Sequence, residues 1–354
     1  MDHMEIALSL AKRALGSTSP NPAVGAVVVK DGVVVGKGYT QPPGSDHAEV
    51  MALRQAGEKS RGAIMYVTLE PCCHFGRTPP CTEAIISSGV SEVHIAMLDP
   101  NPQVYGKGSA QLEENGIKTI AGEHEEEALE INEGYIRLIS TGVPFVIAKF
   151  AMSIDGKIAT KTGDSKWISC EESREYAHNL RKRVDAIIVG VNTVLSDNPR
   201  LTARANGREI EKLKVIVDSH GRTPSNARAL RGKTILASVA PMDTNNKRRF
   251  AELGAMVLEL PSRNGLVDLQ ELLRELGQVG VTSVLVEGGG ELLGSFFDQG
   301  LVDRVYVFIA PILIGGEATT ISGNGVERVA QATRLQKVKA ERLGEDVLIS
   351  GYVR

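Results

Sequence analysis

Apolar residues at positions 4, 6, 7, 8, 10, 11, 14 and 15 recur at helical spacing, and Gly16 closes the run, which predicts a first helix. The period then changes. Two β-branched runs, VGAVVVK (24–30) and VVVGKGY (33–39), flank Asp31-Gly32, the strongest short hairpin signal in the chain. After the loop QPPGSD the pattern predicts a helix over about 47–56, a buried strand IMYVTLE (64–70), a helix from about Pro80 and a strand SEVHIAML (91–98). A further helix, a short strand and an acidic helix over about 125–140 complete this half.

Turn residues at Ser140-Thr-Gly-Val-Pro144 then separate that helix from a new strand, FVIAKF (145–150). Beyond it a helix around 171–182 and the runs DAIIVGV, LKVIVDS, GKTILAS, AMVLEL, TSVLVEG and RVYVFIAPILIG alternate with polar stretches. Strands alternating with helices make both halves α/β, with helices covering a sheet. The expected domains are 1–143 and 144–354. At roughly 100–200 residues per domain, 354 residues suit two.

Composition narrows the class. Hydrophobic residues at 42% and charged residues at 23% exclude wholesale disorder, and 4% aromatics point to an aliphatic core. A net charge of −3 gives no global case for nucleic acid or an anionic membrane, although a local basic groove stays open. Four cysteines are too few for a disulfide scaffold in a chain this long. The first residues lack a basic region followed by an apolar run, so no signal peptide is expected, and no stretch approaches the ~20 apolar residues of a membrane span. A soluble, two-domain protein of a reducing compartment, the cytoplasm, is the expectation.

One constellation carries chemistry. His47-Ala-Glu49 opens a predicted helix, Pro71-Cys72 follows a strand, and Cys81 opens the next helix. One imidazole and two thiolates are three zinc ligands, which leaves a fourth tetrahedral position for water, as catalytic zinc requires. Glu49, two residues from the imidazole, is free to shuttle protons between that water and a departing amine. His-x-Glu with Pro-Cys-x-x-Cys is the zinc-deaminase signature; here the second arm is longer, CCHFGRTPPC, and carries Arg77 toward an anionic group. Cys73 competes with Cys72 as ligand, and a disulfide or a structural zinc site are the alternatives. His74 and His94 read as loop and strand residues.

The second half offers weaker signals. The strand TSVLVE ends in Gly288-Gly-Gly290 before a helix beginning near Glu291, a cradle for pyrophosphate at a helix N-terminus or simply a tight turn. It lacks the G-x-G-x-x-G spacing of the dinucleotide fingerprint. Trp167, the single tryptophan, would ordinarily sit in a core.

Ser19-Pro-Asn-Pro-Ala-Val-Gly25, His47-Ala-Glu49, Glu70-Pro-Cys72 through Cys81 and Asp99-Pro-Asn-Pro102 together resemble the bifunctional riboflavin-biosynthesis RibD family. AMSIDGKIA, the Ser165–Trp167 stretch, NTVLSDNPRLTAR and VEGGGELLGS match its reductase motifs in order, so the resemblance spans essentially the whole chain. It implies a cytidine-deaminase-like α/β domain followed by a dihydrofolate-reductase-like α/β domain, with Zn2+ and NADPH as cofactors. The substrate would be 2,5-diamino-6-ribosylamino-4(3H)-pyrimidinone 5′-phosphate, deaminated and then reduced from ribosyl to ribityl. The assembly would be a homo-oligomer with neither nucleic acid nor membrane as partner.

By that resemblance His47, Cys72 and Cys81 hold zinc and Glu49 is catalytic. Asn21, Arg77, Asp99 and Asn101 contact the deaminase substrate. Ser165, Arg181, Leu201, Arg204 and Glu287 contact the reductase substrate; apart from the resemblance, the chemistry of hydride transfer to a carbonyl suggests Lys149 as the proton donor to its oxygen. Ala151, Trp167, Thr193, Asp197, Ser219, Gly289, Gly290, Glu291, Leu292, Leu293, Gly294 and Ser295 contact NADPH. Three positions depart from the family pattern: Thr40, Asp46 and Cys73. Asp46, beside the metal histidine, is expected to raise the basicity of His47.

Overall fold

The computed structural model describes residues 2–76, 78–205 and 207–353. The chain divides into two compact units, 1–142 and 143–354.

In the first unit, α1 (His3–Ala14) begins on an Asp2 cap: Met4 N donates to Asp2 Oδ1 at 2.8 Å, and Glu5 closes the capping box at 3.0 Å from Asp2 N. Its buried face is Met4, Ala7, Leu8, Ala11 and Ala14, the helical stripe the sequence displays. β1 (Gly25–Lys30) and β2 (Val33–Tyr39) form the hairpin around Asp31-Gly32. α2 (Ala48–Ala56), β3 (Ile64–Val67), α3 (Cys81–Ser88), β4 (Glu92–Ile95), α4 (Lys107–Glu114) and β5 (Lys118–Ala121) follow, then α5 (Glu125–Ile131) and α6 (Glu133–Thr141). The sheet runs β2-β1-β3-β4-β5, antiparallel over its first three strands and parallel from β3 to β5.

Two glycines of β2 place α2. A Cβ on Gly36 would lie 2.0 Å from Ala52 O, and one on Gly38 would lie 2.0 Å from Ala48 O. The helix therefore rests its backbone directly on the strand, with His47 and Glu49 at its N-terminal end. Gly38→Ala is expected to cost about 2 kcal/mol by forcing that helix outward, read as a lowered thermal midpoint. Where the sequence predicts one acidic helix over 125–140, the structure has two. They break at Asn132, whose amide accepts from Ala23 N at 2.9 Å and donates to Ala23 O at 3.2 Å. That buried exchange fixes the segment bearing Asn21.

The second unit runs β6 (Phe145–Ser153), α7 (Glu171–Arg183), β7 (Ala186–Gly190), α8 (Val191–Asp197), β8 (Ala203–Ala205), β9 (Arg208–Ile210), β10 (Leu213–Val217), β11 (Thr234–Val239), α9 (Thr244–Glu252), β12 (Ala255–Leu260), β13 (Ser262–Arg263), β14 (Leu266–Val267), α10 (Leu269–Gln278), β15 (Ser283–Val286), α11 (Gly290–Asp298), β16 (Arg304–Ala310), β17 (Leu335–Leu343) and β18 (Asp346–Val353). Its main sheet has nine strands in the order β12-β11-β10-β7-β15-β6-β16-β18-β17, parallel from β12 to β16. The last two pairings are antiparallel. Alternate residues of each central strand enter opposite cores. Ile187, Val189, Ile216 and Leu285 pack with Leu180 of α7 and Phe250 of α9; Ile188, Val215 and Val284 pack with Leu272 and Leu276 of α10. Burial on both faces is why these strands read as unbroken apolar runs.

The run RVYVFIAPILIG is not one strand. β16 stops at Ala310, and the next residues turn onto Asp155, which accepts from Ile314 N at 3.1 Å and Gly315 N at 2.7 Å. Among the described residues no helix is long and apolar enough to cross a membrane.

Candidate functional site

His47 caps α2 and Cys81 is the first residue of α3, while Cys72 lies in the loop after β3. These elements bring His47, Cys72 and Cys81 together with their ligand atoms within 4.8 Å of one another. His47 Nδ1 faces Cys81 Sγ at 3.1 Å and Cys72 Sγ at 3.6 Å. Its Nε2 meets Thr78 Oγ1 at 3.2 Å, so the ring is oriented from behind by a residue the sequence did not single out. Cys81 N donates to Cys72 Sγ at 3.3 Å. A hydrogen bond from the Cys81 thiol, with further help from His47, pulls the Cys72 thiol well below its ordinary range, and the same sharing pushes Cys81 up. One imidazole and a ready thiolate beside a second thiol fit a divalent zinc ion. Cys73 points elsewhere, with Sγ 3.8 Å from Gln103 O.

Glu49 is 4% exposed in the first turn of α2, and burial, assisted by the Cys72 charge, pushes its carboxyl up to about 6. Asp46 pairs with Arg54 at 2.6 Å. His47 is raised chiefly by its bond to Cys72, and Asp46 adds in the expected direction behind Glu49 and the Cys72 charge.

A cavity of about 360 Å³ opens on this cluster. Asn21, Thr40, His47, Glu49, Cys72, Asp99 and Asn101 line it. Arg77 lies outside the described residues. Thr40 is buried and structural: its hydroxyl accepts from Val24 N at 2.9 Å. Asp99 accepts from Asn101 N and from Tyr135 OH, each at 2.9 Å. Burial raises its carboxyl. The sequence reading missed Glu70 as an organiser. It is 2% exposed and accepts from Asp99 N at 3.2 Å, Gly106 N at 3.0 Å and Ser109 N at 3.1 Å, which holds the loop that presents Asp99 and Asn101.

In the second unit Arg181 and Glu287 meet face to face. Arg181 Nε and Nη2 donate to the two carboxylate oxygens at 2.8 and 2.6 Å, and Nη1 donates to Thr202 O at 3.1 Å. Burial alone would raise Glu287, yet Arg181 holds it down at about 2. Lys149, its pKa lowered by burial, feels both charges and lies 5.4 Å from the centre of the Phe308 ring. Arg204 is exposed on β8, 3.9 Å from Glu209. Leu201 has φ +56° and is buried in the core.

The glycine turn caps α11. Gly289 N donates to Thr193 Oγ1 at 2.9 Å, so two of the expected cofactor residues touch. Ser165 Oγ donates to Asp197 Oδ1 at 3.3 Å. Ala151 lies on β6, and Ser219 follows β10 with Oγ accepting from Val267 N at 3.1 Å. The later glycines have another cause. A Cβ on Gly290 would lie 2.6 Å from Ser322 Oγ, and one on Gly294 would lie 2.2 Å from Ser322 O, so they admit a crossing segment. Leu292 and Leu293 are buried in the core, and Ser295 Oγ bonds Glu291 O at 2.9 Å. Within this run Gly289, Glu291 and Ser295 are at least partly exposed, while Gly290, Leu292, Leu293 and Gly294 are buried. Trp167 is no core residue: it is 71% exposed, with Arg174 4.7 Å above its ring.

The RibD C-terminal domain family matches residues 144–349, and the cytidine and deoxycytidylate deaminase zinc-binding region matches residues 1–97. Riboflavin biosynthesis protein RibD of Aquifex aeolicus is 46% identical over 98% of this chain and 97% of that protein. The chain belongs to the RibD family. RibD of Escherichia coli is 38% identical over 98% of this chain and 97% of its own length. Among solved structures, an Acinetobacter baumannii RibD superposes with TM-score 0.89 at 38% identity, covering 99% of this chain and 98% of that one. The Thermotoga maritima diaminohydroxyphosphoribosylaminopyrimidine deaminase/5-amino-6-(5-phosphoribosylamino)uracil reductase superposes with TM-score 0.88 at 34% identity over 99% and 98%. The RibD reading therefore covers both units, deaminase-like and reductase-like.

Proposed function

We infer that the chain performs two consecutive steps of riboflavin biosynthesis on one phosphorylated small molecule. Residues 1–142 deaminate 2,5-diamino-6-ribosylamino-4(3H)-pyrimidinone 5′-phosphate by hydrolysis, and residues 143–354 reduce the ribosyl unit of the product to ribityl with NADPH. The observation that carries this reading is the His47–Cys72–Cys81 donor triangle opening, beside buried Glu49, on a cavity of substrate size.

His47 Nδ1, Cys72 and Cys81 would hold zinc, which when bound supplies a water activated for attack on the amine-bearing ring carbon. Glu49 takes the proton from that water and delivers one to the departing ammonia. Asn21, Asp99 and Asn101 orient the ring from the cavity wall, with Glu70 and Tyr135 fixing the last two. In the reductase, NADPH supplies hydride. The Arg181–Glu287 pair presents its spare donors and acceptors to the sugar, and Lys149 protonates the carbonyl oxygen. Arg204, exposed on β8 and, like Arg181 and Glu287, near enough to act on His178, meets the substrate phosphate. Thiols that must stay reduced suit the cytoplasm as the working compartment.

Metal analysis of purified protein is expected to give about one zinc per chain. Cys81→Ser should lose that zinc and the deamination while keeping reduction of the deaminated substrate. Full deamination by zinc-free protein would overturn the reading.

A further inference from the structure

We propose that Arg222 is the residue that selects a cofactor phosphorylated on its adenosine ribose, binding the 2′-phosphate of NADPH. The inference rests on the reading that residues 143–354 bind a nicotinamide dinucleotide.

Three adjacent parallel strands, β10, β7 and β15, end on the same edge of the sheet. Ligands of open α/β sheets sit outside the carboxyl ends of such strands. β15 leads into the glycine turn, β7 into Asn192 and Thr193, and β10 into the turn over 218–223. At ~4.8 Å per strand, that last turn lies about 10 Å along the edge from the glycines. A 5′-pyrophosphate and a 2′-phosphate hang from one ribose, so a dinucleotide seated at the glycines brings its 2′ position toward Arg222.

The turn is built rigidly. Asp218 is fully buried and accepts from Arg222 N at 2.9 Å and from Thr223 N and Oγ1, each at 2.7 Å. Arg249 of α9 braces it from the other side, donating to Gly221 O at 3.1 Å and Thr223 O at 3.2 Å. The Arg222 side chain is exposed yet held. Its Nη2 donates to Asn192 Oδ1 at 2.9 Å, and Asn192 Nδ2 in turn donates to Glu291 Oε2 at 2.8 Å, in the first turn of α11. An amide therefore links the guanidinium to the glycine turn. Among the described residues no carboxylate pairs with Arg222, so its charge and most of its donors are left for an anion.

Calorimetric titration with 2′,5′-ADP and 5′-ADP isolates this contact from turnover. Wild-type protein is expected to prefer 2′,5′-ADP, and Arg222→Ala to weaken it about tenfold or more with 5′-ADP unchanged. Arg222→Lys should keep part of the preference, as a point charge without the fork. In steady state the KM for NADPH should rise in Arg222→Ala while that for NADH holds. Equal weakening of both nucleotides, or no change in either, would overturn the assignment. If wild-type protein binds neither nucleotide, the dinucleotide reading itself fails, and Arg222 with it.

Discussion

Glu49→Gln is expected to lower the deamination rate about 10²–10⁴-fold while leaving the zinc content and the reductase rate unchanged. Glu49 is buried in the first turn of α2, and the two glycines of β2 fix that helix, so the amide fits where the carboxylate was. What the amide lacks is a proton that can be taken and returned. Hydrolysis needs both, since the attacking water must lose a proton and ammonia must gain one before it leaves. The readout is ammonia release under single-turnover conditions, with metal analysis on the same preparation. A variant that retains zinc and deaminates at the wild-type rate would remove Glu49 from the chemistry.

The second large effect is on stability. Glu287→Gln is expected to destabilise the reductase unit by about 3–5 kcal/mol, because it leaves the largely buried Arg181 guanidinium without its counter-charge. The pH dependence has a definite sign. Glu287 is held at about 2, below the ~4.3 of an unfolded glutamate, so the folded state favours its charged form. Its contribution is complete above that unfolded value and disappears as pH falls from about 4.3 toward 2. Urea midpoints followed from neutral to acid pH should therefore converge for wild type and Glu287→Gln. A gap that stays constant through that window would assign the loss to packing rather than to the ion pair.

The apolar patterns made most of the fold readable. Runs such as DAIIVGV and LKVIVDS are continuous because both sheet faces are covered, and the Asp31-Gly32 hairpin is a local signal. The C-terminal hairpin was not visible. β17 is an edge strand whose residues are nearly all exposed, so LQKVKAERL carries no apolar run to mark it. The break at Asn132 was hidden for a different reason: its cause is a hydrogen-bond exchange with Ala23, 109 residues away.

The two sites differ in the same way. The metal cluster was legible because ligation demands particular side chains at the starts of elements, and His47 and Cys81 stand there. Glu70 and Thr78 were silent because they act on neighbours that only the folded chain supplies. In the reductase half the glycines suggested a cradle. The fold adds that Gly290 and Gly294 also make room for Ser322 and its neighbours and that Arg181 pairs with Glu287, contacts that residue type alone does not display.

The central claim is that one chain carries both reactions. Purified protein incubated with the diamino-pyrimidinone ribosyl-phosphate and NADPH, read by mass spectrometry, tests it most directly. The account predicts that the product exchanges an amine for a carbonyl oxygen and gains a hydride and a proton, with one NADPH consumed per molecule. Recovery of unchanged substrate from zinc-loaded protein would contradict it, and exchange without reduction would contradict the assignment of residues 143–354.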